Sequence, residues 1–404
     1  MRTPRQLKHR VWIGIDVGKG HHWATAVDDV GQRVWTRKVL NDEGEIMDAI
    51  TEGLGLAETV VWAVDVCGSA SALLLAGLTA RGQEVLYVPG RTVNSLTTGY
   101  RGEAKTDAKD SFVIAEAIRL RRDFASVQGG AGLLTKLEFL TGHRADMVAD
   151  RVRLINRLRD LLTGAFPALE RTFDFSRHRG AVVLLTGYQS PAALRRRGQA
   201  RVEAWLRVRG VRSAEKVAAK ALAAAATQHI DIPGHDVIGG IIADLATQLL
   251  ALDERLARVD KQIHDTFAEH PQAEVITSLP GMGVILGAEF VVAAGDLSTY
   301  SDAGRLASAA GLVPVPKDSG RRTGNLHRPQ RYSRRLRRAL YLSAQTSIVR
   351  EGPNRDYYLK KRGEGRTHIQ AVIALARRRV DVLWALLRED RKFTSTPPVR
   401  PIAA

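Results

Sequence analysis

Hydrophobic and polar residues alternate in short runs through the N-terminal third of the chain, a pattern that is typical of strands with helices between them. Apolar runs that end at Gly, Asp or Pro predict the strands, and longer stretches of helical periodicity predict the helices. The predicted strands are 11–17, 22–27, 33–39, 59–65 and 84–88, and the predicted helices are 43–52, 70–81 and 106–122. The short turn at 28–31 predicts that the first three strands form an antiparallel meander.

Beyond about residue 130 the strand pattern ends, and aliphatic residues recur at helical spacing. The clearest periodicity is a heptad seam whose apolar members are spaced alternately four and three residues apart: Ile238, Ile242, Leu245, Leu249, Leu252, Leu256, Val259 and Ile263. Such a seam predicts a long helix that packs against a partner helix. A core helix of its own chain, a helical hairpin and a coiled coil between chains all satisfy the pattern. The last of these favours a homodimer or homotetramer.

The order of elements, β-β-β-α-β-α-β-α and then helices, predicts an α/β domain joined to all-α regions. The N-terminal order is that of a ribonuclease-H-like domain, which we place at 1–130. A helical coiled-coil region follows at 131–270, of which 165–235 cannot be assigned beyond helical. A mostly helical C-terminal domain occupies 271–390, and the proline-containing tail at 391–404 is predicted to be disordered.

The charge of the chain points to a polyanionic partner. Its 404 residues include 60 Lys and Arg against 43 Asp and Glu, which gives a formal net charge of +17. Nucleic acid is the first candidate for such a partner, and an anionic membrane surface is the second. The membrane is disfavoured because no uninterrupted apolar stretch of about 18 residues and no signal-peptide pattern are found. A single cysteine, Cys67, excludes an internal disulfide framework. A cytoplasmic protein is expected.

Carboxylates follow two of the predicted strands and begin one predicted helix. Asp16 and Asp65 lie at the ends of their strands, and Asp107 and Asp110 lie three residues apart at the helix start. Residues at i and i+3 share a helix face, so both side chains can point the same way. Taken alone, Asp16 can cap a turn, and the acidic pair can complement the helix dipole. Together the four carboxylates predict a site for one or two Mg²⁺ ions, which prefer oxygen ligands.

Three further segments are candidates for contacts with nucleic acid. Lys105 precedes the acidic pair. The turn 279–283 contains Gly281 and Gly283 before an apolar helix, which is the pattern of a helix-hairpin-helix element. The charged residues of a later helical stretch are nearly all arginines, which predicts a phosphate-facing surface. The candidate arginines there and in the preceding loop are Arg321, Arg322, Arg331, Arg334, Arg335, Arg337 and Arg338. Ser319 lies in that Gly-rich loop, where a serine is usually only a turn residue.

These segments, in this order, resemble the DEDD transposases of the insertion-sequence family "one-ten", the relatives of the Piv DNA invertases, some of which are guided by a bridge RNA. The resemblance rests on the first strand at 14–19, the paired aspartates at 105–110 and the serine loop at 311–320, which the turn 279–283 precedes. It covers about 11–125 and 274–388. It implies a RuvC-like N-terminal domain and a C-terminal transposase domain.

The resemblance also implies roles for single residues. Asp16, Asp65, Asp107 and Asp110 would hold Mg²⁺, for which Mn²⁺ can substitute, and Ser319 would attack the phosphodiester and become linked to DNA. The family usually has Glu at the second acidic position, where this chain has Asp65. Glu58 and Glu103 are fallback candidates for that ligand. The implied partners are double-stranded DNA, at the element ends and the target, and a guide RNA.

We therefore expect an insertion-sequence transposase, a recombinase that cleaves and exchanges DNA strands. Three other functions are kept as alternatives. A RuvC-like structure-specific endonuclease would cut with metal-activated water and would not need Ser319. An actin-like ATPase or sugar kinase also begins with a Gly-x-Asp-x-Gly strand, but its second phosphate loop is not found convincingly. A non-catalytic basic scaffold would bind nucleic acid and would tolerate loss of the carboxylates.

Overall fold

The computed structural model describes residues 8–66, 69–97, 99, 106–122, 124–127, 131–230, 232–319 and 323–395. The chain divides into two compact units. One is formed by Met1–Phe139 together with Thr266–Ala404, and the other is Leu140–Asp265. An α/β part with a mixed sheet and extensive helical parts are both present, as the sequence predicts.

The N-terminal part of the chain forms a six-stranded mixed sheet in the order β3-β2-β1-β4-β5-β6. Its strands are β1 (Lys8–Asp16), β2 (His21–Val27), β3 (Arg33–Leu40), β4 (Ala57–Val64), β5 (Val85–Tyr87) and β6 (Ala125–Ser126). The first three strands pair antiparallel, which confirms the predicted meander. Strand β4 pairs parallel with β1 and β5, and the short β6 was missed because two residues carry no periodicity.

Helices cover both faces of this sheet. The helices of this region are α1 (Glu43–Leu54), α2 (Ala72–Ala80), α3 (Gly90–Thr97) and α4 (Asp107–Leu120). Residues of α1 and α2 pack on one face with Ile13, Trp62 and Val64, whereas residues of α3 and α4 pack on the other face with Ala63. Helix α3 was not predicted, since it has only eight residues and follows Pro89-Gly90, which the sequence indicates only as the end of a strand.

The second unit is built on two long helices with shorter helices between them. The helices that belong to it in whole or in part are α5 (Ala131–Ala165), α6 (Pro167–Thr172), α7 (Arg179–Leu185), α8 (Pro191–Arg197), α9 (Gln199–Val208), α10 (Ala214–Ala226) and α11 (His235–Ala268). The seam residues Ile242, Leu245 and Leu249 are buried in one core with Leu158 and Leu162 of α5. The heptad seam therefore packs within its own chain.

Two ion pairs fix the register of this helical hairpin. Arg144 pairs with Asp260 at 2.5 Å and Arg151 with Asp253 at 2.6 Å. The two arginines are one heptad apart on α5, and their partners are one heptad apart on α11 in the reverse order. The two helices are thus antiparallel. Helix α11 is also long and apolar enough to cross a membrane, with a mean hydropathy of 1.3 over 18 residues. Its partner helix and its ion pairs account for that apolar stripe without a membrane.

The C-terminal part is mostly helical, as predicted. Its helices are α12 (Ala273–Ser278), α13 (Val284–Ala294), α14 (Ala303–Ala309), α15 (Arg334–Ser347), α16 (Pro353–Gly363) and α17 (His368–Arg388). A two-stranded antiparallel ribbon of β7 (Val315–Pro316) and β8 (Leu326–His327) lies between α14 and α15. Residues 396–404 of the predicted disordered tail lie outside the described residues.

Candidate active site

Asp16 and Asp65 lie next to each other at the same edge of the sheet. Strands β1 and β4 run parallel with Ile15 opposite Val64, so the residue after each pair partner is an aspartate. The backbone N–H of Val17 donates a hydrogen bond to Oδ1 of Asp65, at 3.1 Å. The first link between the two strand ends is therefore made by one of the predicted ligands.

The alternation of side chains along the strands places both aspartates on the face covered by α4. Ile13 and Ile15 face α1 and α2, so Gly14 and Asp16 face the other side. On β4, Val64 faces α1 and α2, whereas Ala63 packs with α4. Asp65 lies two positions after Ala63 and therefore faces the same side as Ala63. The acidic edge of the sheet thus lies beneath the start of α4.

Helix α4 begins with the other two carboxylates. Thr106 caps it, since its hydroxyl accepts a hydrogen bond from the N–H of Lys109 at 3.2 Å. Asp107 is exposed, whereas Asp110 is buried and accepts a hydrogen bond of 3.4 Å from Thr97, the last residue of α3. A buried carboxylate in the first turn also lies close to the positive end of the helix dipole.

Helix α4 is held on the sheet by a backbone contact. A Cβ added to Gly14 would lie 2.3 Å from the amide nitrogen of Ala115 and 2.3 Å from the carbonyl oxygen of Ser111. The side chain of Ser111 also forms a buried hydrogen bond of 2.7 Å with Thr25 of β2. These contacts fix the height and direction of α4, and with them the positions of Asp107 and Asp110 above the strand ends.

A histidine that the sequence analysis did not select lies at the same edge. Nε2 of His21 is 3.5 Å from Oδ2 of Asp107. His21 is the first residue of β2, and it shares the face of Thr25 because the two are four positions apart. The signal for His21 in the sequence was a polar residue at the start of β2, the antiparallel strand that follows Asp16.

The neighbouring residue His22 faces the opposite side of the sheet. It is buried, and both of its ring nitrogens lack a hydrogen bond within the described structure. Burial lowers the pKa of His22 below its usual value, and the adjacent Asn41 side chain partly offsets this decrease. The imidazole is therefore held neutral and belongs to the packing of the domain rather than to the acidic edge.

The four carboxylates suit a hard cation by their chemistry and by their common face. Their donors are all oxygen atoms, which is the ligand set that Mg²⁺ prefers. Among the residues that the structure describes, no three side chains of His, Cys, Asp or Glu are close enough to form a ready-made metal group. The oxygen donors thus suit the ion chemically, and joint coordination of one ion would require changes of side-chain conformation.

Of the two fallback ligands, Glu58 lies far along its strand from Asp65. Glu58 is the second residue of β4, seven residues before Asp65, and it pairs with His9 at 3.2 Å. At roughly 3.3 Å per residue, this places Glu58 about 23 Å from the acidic edge. Glu103, Lys105 and Cys67 lie outside the described residues.

The C-terminal turn at 279–283 is held by a buried arginine. Gly281 adopts φ +80°, and a Cβ there would lie 2.5 Å from the carbonyl oxygen of Ser343, so this glycine serves close packing against α15. Arg379 donates hydrogen bonds of 2.6 Å to the carbonyl of Pro280 and to Ser343, and burial lowers its pKa to about 10. Gly283, in contrast, has open space around its Cα and begins α13.

Ser319 lies at the end of the β7–β8 ribbon and is exposed. The ribbon is held by local hydrogen bonds. Lys317 donates its N–H to the carbonyl of Asn325 at 2.9 Å, and Asp318 accepts from the N–H of Asn325 at 2.9 Å. Arg321 and Arg322 lie outside the described residues. The serine is therefore accessible, on an element that contributes little to the core.

The arginines near and on α15 divide into two groups. Arg331, Arg334 and Arg335 are exposed. Arg338 instead forms an ion pair with the buried Glu289 of α13, and Arg337 stacks over the ring of Tyr332 at 4.8 Å. Arg335 also interacts electrostatically with Glu138. The second group ties α15 to its neighbours.

Comparison with known proteins identifies the class of the chain. Residues 13–167 match a transposase family model, the DEDD transposase of IS110, and residues 273–359 match the model of the transposase IS116/IS110/IS902 family. The first matched segment contains all four carboxylates and the second contains Ser319. The chain is thus a DNA transposase, and it belongs to the IS116/IS110/IS902 family.

Its relatives are proteins of insertion elements. It is 61% identical to a protein of insertion element IS116 from Streptomyces clavuligerus, over 98% of both chains. It is 48% identical to a protein of insertion element IS900 from Mycobacterium paratuberculosis, over 95% of this chain and 97% of that one. A pilin gene-inverting protein of Moraxella bovis is 28% identical over 35% of this chain and 45% of that protein.

Proposed function

We propose that this transposase cuts and rejoins DNA strands with a site composed of the acidic edge and Ser319. The observation that carries the proposal is the placement of the carboxylates: Asp16 and Asp65 follow two neighbouring parallel strands, and Asp107 and Asp110 lie in the first turn of the helix that covers the same face of the sheet. The strand order and this edge support a ribonuclease-H-like, RuvC-like assignment for the N-terminal part.

The carboxylates would hold one or two Mg²⁺ ions, and Mn²⁺ would substitute. Bound there, the metal would neutralise charge on the scissile phosphate and favour ionisation of a hydroxyl nucleophile. The chain itself contributes the fixed geometry. Asp65 accepts the N–H of Val17, and the buried Asp110 is held by Thr97, so two of the four ligands have defined positions before substrate arrives.

Ser319 would supply the nucleophile. Its Oγ forms a bond to phosphorus, the bond from phosphorus to one bridging oxygen of the strand breaks, and the leaving oxygen takes up a proton. One phosphate ester replaces another, so the bond energy is conserved and no nucleotide triphosphate is needed. Attack by a strand hydroxyl on the serine ester reverses the chemistry and joins a new pair of strands.

A covalent trap tests the serine role. Duplex DNA that contains the element's own ends is incubated with the full chain and Mg²⁺, quenched in detergent and resolved on a denaturing gel. We expect a protein–DNA adduct with the native chain and none with Ser319→Ala. Ser301→Ala is the matched control, since Ser301 is also exposed in the C-terminal part, and it should retain the adduct.

The alternatives give different results in the same assay. A RuvC-like endonuclease that uses metal-activated water would cleave DNA with Ser319→Ala and would form no adduct with any variant. A basic scaffold would bind DNA yet neither cleave it nor respond to Asp16→Asn. An adduct that persists in Ser319→Ala would contradict the assignment of the nucleophile.

The DNA contacts would lie on the exposed arginines of the C-terminal part. Arg331, Arg334 and Arg335 are exposed to solvent, and Gly283 precedes a helix whose first N–H groups can face an anion. Lys105, Arg321 and Arg322 are assigned by sequence alone. Gly281 and Arg338 would contribute indirectly, because one packs against α15 and the other pairs with Glu289.

A guide RNA and a homodimer or homotetramer are part of the same proposal, with action at the bacterial nucleoid in the cytoplasm. The net charge of +17 supports a second polyanion in addition to DNA. The heptad seam no longer supports a multimer, because α5 occupies it. Strand exchange before and after nuclease removal of co-purified RNA tests the guide, and light scattering of the active complex gives the number of chains.

A further inference from the structure

The second unit carries three short helices, α8, α9 and α10, whose role neither the sequence nor the family assignment supplies. Leu194, Val202 and Leu206 are buried, as are the alanines of α10 at 218 and 221, so these helices pack their apolar sides together. The family models end at residue 167 and resume at 273. Any function of α8–α10 must therefore be inferred from their exposed side.

That exposed side is strongly basic. We define the α9 basic surface by six residues that flank or belong to α9 and α10: Arg196, Arg197, Arg201, Arg209, Arg212 and Lys216, all exposed. The exposed carboxylates of the same helices are few. Glu203 is paired with Arg207 at 2.5 Å, which leaves Glu215 at the start of α10.

Most of these cations have no internal role. Within the described residues, Arg196, Arg197, Arg201 and Arg212 make no ion pair or hydrogen bond, whereas Arg195 beside them donates to the carbonyls of Ala225 and Gln228 and so closes the end of α10. The helix dipole favours cations only in the last turn of α8. Like charges without partners repel one another, and a polyanionic ligand would neutralise them.

We propose that the α9 basic surface binds the sugar–phosphate backbone of duplex DNA. Arg197 and Arg201 lie at the start of α9, and Arg209 and Arg212 follow its end. The ten residues of α9 separate the two groups by about 15 Å. This span is comparable with the width of the major groove, about 12 Å, so the two groups can contact phosphates on either side of it.

The surface lacks what single-stranded nucleic acid requires. Its aromatic residue, Trp205, is covered by the guanidinium of Arg209 at 3.7 Å and forms a T-shaped pair with Tyr188, with the ring centroids 5.1 Å apart. A Cβ on Gly187 would lie 2.4 Å from the same indole ring. Unpaired bases bind by stacking on free aromatic faces, and this ring has none available. Backbone contacts to a duplex are the remaining mode.

The test compares two charge-matched variants of the full chain. Arg196→Gln, Arg197→Gln, Arg201→Gln and Arg212→Gln are combined in one variant. The control combines Arg153→Gln, Arg177→Gln, Arg179→Gln and Lys261→Gln, four exposed cations of the same unit that each pair with a carboxylate. Affinity for a 30-base-pair duplex of random sequence is measured without Mg²⁺ over a range of salt concentrations.

Removal of the surface should weaken duplex binding at least about 10-fold and decrease the slope of log affinity against log salt by about three, since each phosphate contact contributes about 0.9. The control should change the slope by less than about one. Equal slopes in the two variants would overturn the proposal. So would a selective loss for a duplex RNA of the same sequence, because the surface would then belong to RNA.

A second measurement keeps the test valid if the variant folds poorly. Amine modification of Lys216 in the native chain is followed by mass spectrometry, and duplex DNA should protect it, with Lys261 unprotected. The inference rests on the proposed function only for the identity of the nucleic acid. Failure of strand exchange would leave the salt slopes unchanged, whereas failure of this inference would leave the covalent adduct with Ser319 intact.

Discussion

Asp110 lies in the first turn of a helix that crosses the sheet in backbone contact with Gly14, whereas Ser319 lies on a ribbon whose two strands have two residues each. The carboxylate is buried and the serine is exposed. The difference follows from chemistry. In the proposed site, carboxylates that hold a metal would need fixed positions, whereas a serine nucleophile would need access to its substrate. The packing of α4 on the sheet provides the first property, and the exposed ribbon provides the second.

The largest effect is expected on DNA cleavage, when a carboxylate of the acidic edge is replaced. Asp65→Asn keeps an oxygen that accepts the N–H of Val17 but removes the charge. We expect DNA cleavage to decrease by about 100-fold or more, because several kcal/mol of charge stabilisation depend on the metal ligands. The decrease is measured as initial rates of strand cleavage in Mg²⁺.

Asp65→Glu is the informative companion, since it restores the longer carboxylate typical of the family. It should retain cleavage within about 10-fold, because one methylene changes the reach but not the charge. If Asp65→Asn cleaved at the native rate with an unchanged melting temperature, Asp65 would not be a ligand, and the acidic edge would contain three functional carboxylates.

The second-largest effect is expected for the packing of α4 on β1. Gly14→Ala places a methyl group 2.3 Å from two backbone atoms of α4, which cannot move aside as a flexible side chain would. We expect a loss of about 3 kcal/mol in the free energy of unfolding, with a loss of cleavage as α4 shifts. Urea denaturation followed by circular dichroism measures it.

Gly20→Ala is the control for this substitution. Gly20 lies on the connection that follows β1, whereas Gly14 lies within the strand, and nothing is within 4 Å of a Cβ at Gly20. It should change stability by less than about 0.5 kcal/mol. Equal stabilities of the two variants would show that the contact between α4 and β1 does not limit the fold.

The smallest effect on stability is expected in the ribbon. Asn325→Ala removes a side chain that donates to the carbonyl of Lys317 at 3.2 Å on an exposed turn. We expect the melting temperature to stay within about 2 °C, while adduct formation by Ser319 decreases several-fold. A large decrease in melting temperature would mean that the ribbon belongs to the core, and the contrast between the two regions would disappear.

Periodicity in the sequence was sufficient for most of the elements. The meander, the strand before Asp65 and helix α4 were all predicted close to their observed bounds, because alternating and helical patterns each match one local geometry. The heptad seam predicted a long helix correctly. It could not identify the partner helix, since an apolar stripe fits any complementary helix. The core shared with Leu158 and Leu162 and the ion pairs of Arg144 and Arg151 show that the partner is α5.

The four carboxylates of the proposed site were likewise selected from the sequence, because each lies at the end of a predicted strand or at the start of a predicted helix. What only the tertiary structure decided is their common face. The parallel pairing of β1 with β4 places Asp65 beside Asp16, and the contact of Gly14 with Ala115 places α4 above both. His21 and the α9 basic surface also required the fold. Long-range neighbours are set by strand register and helix packing, which no local pattern encodes.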